Sequence, residues 1–230
     1  RVEGEFDLAS SAAFVAGHSL GEYSALSAAG SFGLADTARL LKTRGLAMQE
    51  AVPVGQGAMA ALMGLDLDVV QAIAGEAAVG EVCTAANDNA PGQVVVSGSV
   101  GAVKRAIEIA KAKGAKRAIL LPVSAPFHCS LLAPAADVMA EALAGVSMKP
   151  PKAPLVANVT ARAVTDPEEI RYLLVEQVTG MVRWRECVLT MKREGVDTIV
   201  EVGAGKVLSG LNRRIDGDLG AISVGTPETI

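Results

Sequence analysis

Short apolar runs and stripes of helical spacing succeed one another along this chain, and the rhythm changes near residues 55 and 123. A short amphipathic opening leads to residues 12–16, a small-residue run that reads as a buried strand. Gly17-His18-Ser19-Leu20-Gly21 is a sharp turn into a helix over 22–29. A longer helix is predicted over 34–51, with Leu34, Ala38, Leu41 and Met48 as its apolar stripe, and the glycines and proline of 53–57 end it. From there the pattern predicts a strand at 58–63, a helix at 67–77, and a strand pair at 82–87 and 93–97 joined through Asn-Asp-Asn-Ala-Pro-Gly. A helix at 100–113 and a strand at 116–122 complete this stretch. The order βαββαβ predicts a ferredoxin-like subdomain inserted at 55–122. The remaining core, 1–54 and 123–230, continues with helices at 130–144, 167–175, 185–194 and 207–214, and strands at 155–159 and 198–202.

Hydrophobic residues make up 50% of the 230 and charged residues 20%, so the chain buries a real core and is not disordered. Abundant Ala, Val, Leu and Gly favour an α/β fold with helices on a mostly parallel sheet. A net charge of −4 and only 3% aromatics offer neither a basic grip on phosphates nor stacking platforms, so nucleic acid is not expected as a partner. No apolar run reaches the roughly 20 residues that span a bilayer. The three cysteines, Cys83, Cys129 and Cys187, are far apart and form no zinc or disulfide pattern, which points to a reducing, cytoplasmic setting.

Gly17-x-Ser19-x-Gly21, with a predicted strand before it and a helix after it, matches a nucleophile elbow. Such a turn lifts the Ser19 hydroxyl out of the sheet, and the Leu20 N–H at the helix start is placed to hold an oxyanion. The alternative is a chance match in a glycine-rich chain. A serine nucleophile needs a base, and the chain has two histidines. His18 adjoins the serine, points elsewhere, and reads as structural. His128 is the remaining candidate, or else an ordinary surface or capping histidine. Arg44 borders the apolar stripe of its helix. It either snorkels to solvent or a local carboxylate, or it clamps a substrate carboxylate. Gly203-Ala204-Gly205-Lys206 after a strand lacks the full phosphate-loop pattern and reads as a structural junction.

Five collinear stretches carry a resemblance: GHSLGEYSAL at 17–26, KTRG at 42–45, NDNAPGQVVVSG at 87–98, PVSAPFHCSLL at 122–132 and EVGAGKVLSGL at 201–211. Together they are similar to the malonyl-CoA:acyl carrier protein transacylase family of fatty-acid synthesis. The resemblance implies a hydrolase-like core plus a ferredoxin-like subdomain. It implies Ser19 as the acylated nucleophile, His128 as its base and Arg44 as the partner of the malonyl carboxylate. It further implies Gln177, through its backbone carbonyl, as the group that orients the histidine, and Asn89 as a cleft residue. Phe127 would then wall the site against branched acyl groups. Malonyl-CoA and acyl carrier protein are the implied partners, with no metal or redox cofactor. The family's opening strand and Gln-containing loop have no counterpart, so the chain is expected to start about a third of the way into a typical domain. Two rivals stay open: a serine esterase or thioesterase, and a truncated inactive fragment that only binds a partner.

Overall fold

The structure, a computed structural model, describes residues 11–226. The expected amphipathic opening lies outside them. The fold is α/β. The elements that carry the site are α1 (Gly21–Ala28), α2 (Leu34–Glu50), α5 (Ala133–Ala144) and α6 (Pro167–Thr179). With Val15 and Leu155 they enclose one hydrophobic cluster, which includes Tyr23, Leu26, Leu40, Met48 and Leu174. A second cluster lies across the short strand β5 (Leu155–Val156), whose successive side chains point to opposite faces. Leu155 joins the first cluster, and Val156 joins the second with Trp184, Cys187 and Leu211. Around the second cluster stand α7 (Trp184–Arg193), α8 (Val207–Ile215) and the parallel pair β7 (Thr198–Val202) and β8 (Gly220–Val224). β5 itself pairs antiparallel with β6 (Ala163–Val164).

Residues 57–120 form β1 (Gly57–Met63), α3 (Leu67–Ala78), β2 (Cys83–Ala90), β3 (Gln93–Ser99), α4 (Val100–Ala112) and β4 (Arg117–Leu120). The strands lie in the order β2-β3-β1-β4 with every ladder antiparallel. Alternation sorts the two faces. Ala60, Leu62, Val94 and Val96 pack with Val70, Ile73, Val103 and Ile107 of the two helices. Met59, Ala86 and Val95 on the other face meet Leu121 and Phe127. The sheet therefore leans directly on the loop that leads into His128. At its start, a Cβ on Gly57 would fall 2.4 Å from the Pro126 ring, so only glycine permits that approach.

Four sequence expectations change. A mostly parallel sheet is not what the described residues form: the largest sheet is antiparallel. Parallel pairing is confined to β7–β8 and isolated bridges of Val15 with Leu155 and Asn87 with Val182. The expected strand at 12–16 shrinks to that first bridge. Pro154, which accepts from Val15 N–H at 2.9 Å, has no N–H with which to extend the ladder. The stripe of α2 is rotated: Thr37, Leu40, Arg44, Ala47 and Met48 are buried, whereas Leu34 is 81% exposed. Alanines and leucines stand on both faces of that helix, so the apolar pattern leaves its phase ambiguous. Finally, β2 runs on through the Asn-Asp-Asn segment to Ala90. Register shifts between Ala85 and Asn87 and between Asp88 and Ala90 free these polar side chains to find partners off the ladder.

Candidate active site

Gly17 begins the turn. A Cβ there would sit 2.0 Å from the backbone carbonyl of Gly21, so the chain can double back this tightly only at glycine. Ser19 follows with φ 54°, a left-handed conformation that non-glycine residues seldom hold. The Gly21, Glu22 and Tyr23 N–H groups donate back to the carbonyls of His18, Ser19 and Leu20 and start α1. The Leu20 N–H has no partner among the described residues and stands at the positive end of that helix.

His128 also has left-handed φ, 60°, and is buried. Its Nδ1 lies 2.8 Å from the carbonyl oxygen of Gln177. That carbonyl belongs to the last turn of α6, where helical carbonyls lack intrahelical partners. A carbonyl can only accept, so Nδ1 carries the proton and Nε2 presents its lone pair. Nε2 is 2.8 Å from Ser19 Oγ. Burial pushes the His128 pKa down to about 3, and the nearby Arg44 charge pushes it the same way. The ring is thus a neutral acceptor at physiological pH.

Arg44, 6% exposed, donates from Nη2 to Ser19 Oγ at 3.0 Å and to Gln177 Oε1 at 2.9 Å. Its Nε is buried with no protein partner, a donor left free in the site. The guanidinium carbon lies 5.8 Å from the Tyr23 ring centre. Ser19 Oγ therefore has a lone-pair acceptor on one side and a cationic donor on the other.

Beneath the turn lies a polar layer of which sequence reasoning named only Gln177, and that for its backbone carbonyl. The Gln177 side chain, besides accepting from Arg44, donates from Nε2 to the Ser19 carbonyl at 2.9 Å and contacts the Glu22 carboxyl. Glu22 Oε1 accepts from the Asn158 N–H at 2.7 Å. Burial pushes the Glu22 pKa up to about 8, against the pull of those hydrogen bonds and of Arg44. Asn158 is fully buried and contacts both Gly17 and Ser19. A charged residue inside the buried face of α1 was the available signal for Glu22; Asn158 left none, being one polar residue behind a short apolar run.

The structure brings together Ser19, His128, Arg44 and Gln177, with Leu20 at the helix start. His18 turns aside: its Nε2 is 2.8 Å from Asn89 Oδ1, and its ring is 5.8 Å from that of Trp184. Asn89 thus meets the elbow through His18. Phe127 packs between the hydrophobic cluster of α1 and the sheet face, and makes no polar contact with Ser19. Gly203–Lys206 is no anion cradle, because Glu201 already accepts from the Leu208 and Ser209 N–H groups at the start of α8. All three cysteines are free thiols. Among the described residues, no group of three or more His, Cys, Asp or Glu could hold a metal ion, and no helix is long and apolar enough to cross a membrane.

A family model described as "Acyl transferase domain" matches residues 9–213. The malonyl CoA-acyl carrier protein transacylase of Escherichia coli (strain K12) is 48% identical over 218 residues, covering 95% of this chain and 71% of that protein. The protein of the same name from Bacillus subtilis (strain 168) is 44% identical over 218 residues, 94% of this chain and 69% of its own. Among solved structures, the acyl-carrier-protein-S-malonyltransferase from Bartonella henselae superposes with a TM-score of 0.96 at 55% identity, covering 98% of this chain and 72% of that one. A malonyl-transacylase in complex with its type II PKS acyl-carrier protein gives 0.92 at 44% identity, covering 94% and 70%.

Proposed function

The chain belongs to the acyl transferase domain family, and from that premise we propose that it moves the malonyl group of malonyl-CoA to the phosphopantetheine thiol of acyl carrier protein, in fatty-acid biosynthesis. The observation that carries the assignment of roles is Ser19 Oγ held between His128 Nε2 and Arg44 Nη2. As Oγ attacks the thioester carbonyl, its proton passes to Nε2. The Leu20 N–H donates to the oxyanion that forms. When the intermediate collapses the C–S bond breaks, the sulfur takes the proton from His128, and CoA leaves as its thiol. A malonyl ester of Ser19 remains. The phosphopantetheine thiol then gives its proton to His128 and attacks the ester, and Ser19 leaves with that proton restored.

Arg44 is the group for the malonyl carboxylate, which would accept from the free Nε–H beside Ser19. The Gln177 carbonyl orients His128 in place of a triad carboxylate. Asn89 acts through His18, and Phe127 shapes the cleft. The chemistry calls for no metal or redox cofactor, since the CoA thioester is itself a substrate, and it belongs in the cytoplasm. The strand order β2-β3-β1-β4 supports reading 55–122 as a ferredoxin-like subdomain inserted into a hydrolase-like core of 1–54 and 123–230.

Intact mass after mixing with malonyl-CoA tests the reading. The expected result is one malonyl adduct that Ser19→Ala removes and that holo-acyl carrier protein discharges by taking up the malonyl group. Free malonate as the dominant product would assign a thioesterase instead. Absence of any adduct would overturn both.

A further inference from the structure

We infer that Asn158 is a positioning residue for acyl transfer, its side-chain amide clamping the Ser19 turn from below by pairing with Gly17 and Ser19 at once. The inference rests on Ser19 being the nucleophile of the reaction proposed above. Asn158 lies two residues beyond β5 and has no exposed surface. Its Nδ2 donates to the Gly17 carbonyl at 2.8 Å, and its Oδ1 accepts from the Ser19 N–H at 2.7 Å. That is the pair of hydrogen bonds a neighbouring strand makes to residues i and i+2, supplied here by one side chain. The clamp is itself fixed at both ends of its own peptide: the Asn158 N–H donates to Glu22 Oε1 at 2.7 Å, and its carbonyl accepts from the Arg183 N–H at 2.9 Å.

The clamp matters because Ser19 has φ 54° and is not glycine. A residue stays in that region only where its surroundings over-determine it. Asn158 fixes the peptide that precedes Ser19, and the Gln177 side chain fixes the carbonyl that follows it at 2.9 Å. Together they aim Oγ at His128. Because Asn158 occupies the Ser19 N–H, that group cannot serve as an oxyanion donor, and Leu20 N–H is the donor the turn itself offers. Released from the clamp, the turn relaxes toward right-handed φ, and displacing a nucleophile by about 1 Å costs on the order of 100-fold in rate.

The test reads Ser19 reactivity with a fluorophosphonate and with malonyl-CoA, each normalised to folded protein. Asn158→Ala is expected to slow both reactions by roughly 100-fold with little change in the KM for malonyl-CoA. Asn158→Asp keeps the acceptor for the Ser19 N–H but loses the donor to Gly17 once its carboxyl ionises, which burial beside Glu22 shifts toward alkaline pH. Protonation restores that donor, so its rate relative to the native protein should rise at least tenfold from pH 8 to pH 5. The charged or titratable groups around this position are Glu22 and Tyr23 on α1, His18 in the turn, Arg44 on α2, His128 in its loop, Arg183 ahead of α7 and Cys187 on it. The native protein carries the same groups, so the ratio isolates the substitution, and any carboxyl titration belongs to the pair with Glu22. In the native protein the Ser19 amide should exchange its hydrogen slowly. A folded Asn158→Ala variant that reacts at the native rate, a pH-independent ratio for Asn158→Asp, or fast exchange at Ser19 would each overturn the inference. If the native protein reacts with the fluorophosphonate yet forms no malonyl ester, only the malonyl reading falls, because the fluorophosphonate rates still decide the role of Asn158.

Discussion

A histidine base with an ordinary pKa near 6.5 would make acylation fade through the physiological range, and the sequence alone predicts that behaviour for His128. The structure predicts the opposite. His128 is 3% exposed, and burial together with the Arg44 guanidinium pushes its pKa down to about 3. Moving from 6.5 to about 3 makes protonation harder by on the order of 5 kcal/mol, at about 1.4 kcal/mol per pH unit. An ordinary histidine would drop from about 76% neutral at pH 7 to about 3% at pH 5, a loss of about 25-fold in rate. A ring with a pKa near 3 stays about 99% neutral at pH 5. Acylation of Ser19 by malonyl-CoA, followed by rapid quench and mass measurement, is therefore expected to be flat from pH 5 to pH 7. Glu22 is the other buried group that titrates nearby, and with a pKa of about 8 its ionisation falls on the alkaline side of that window. Arg44→Gln supplies an internal check: without the guanidinium charge the histidine pKa should rise. A native rate that falls more than tenfold between pH 7 and pH 5, with a midpoint near 6.5, would refute the argument that His128 works as a desolvated base beside a cation.

Arg44→Ala removes the partner proposed for the malonyl carboxylate, but also a donor to Ser19 Oγ at 3.0 Å, so acetyl transfer should fall as well. The ratio of malonyl to acetyl transfer should still drop by roughly 100-fold or more, with Arg44→Lys recovering part of it; an unmoved ratio would make Arg44 a structural arginine. The two glycines of the elbow should behave differently. Gly17→Ala drives a Cβ to 2.0 Å from the Gly21 backbone and should cost upward of about 3 kcal/mol, whereas Gly21→Ala meets nothing within 4 Å and should leave Tm level or higher. Thermal unfolding of the two variants checks both outcomes, and equal losses would contradict the packing described.

Chemistry written into consecutive residues was legible. The turn at Gly17–Gly21 announces itself because strand, turn and helix are local, and Arg44 because an arginine beside an apolar stripe demands a partner. His128 followed from a short inventory of bases. Long-range partners were not legible. Asn158 and Gln177 reach Ser19 across 139 and 158 residues, and nothing near either position encodes the meeting. Gln177 came to notice only through resemblance, since the atom facing His128 is a backbone oxygen that every residue type carries. In the fold, the helices and the strands of the four-stranded antiparallel sheet were legible from period. The length of the parallel strand at 12–16 was not, because its ladder depends on where Pro154 lies in space.

The absence of a carboxylate behind His128 has a consequence for what the site can hold. A carboxylate at the position of the Gln177 carbonyl would favour the imidazolium and would pair electrostatically with Arg44. A carbonyl fixes the same tautomer and adds no net charge. The buried carboxyl of Glu22 stands one step further back and reaches Arg44 only through the Gln177 amide, which accepts from the cation and contacts the acid. Both relay contacts come from Nη2 and the Gln177 side chain, so the Arg44 Nε–H stays unspent. A buried cation with an unused donor beside a reactive hydroxyl favours an acyl group that brings its own negative charge. An acyl group without one leaves the guanidinium dry and unpaired. Gln177→Glu keeps the backbone oxygen that holds His128 but sets a carboxylate against Arg44, so the ratio of malonyl to acetyl transfer should fall while acetyl transfer persists; an unmoved ratio would refute the argument.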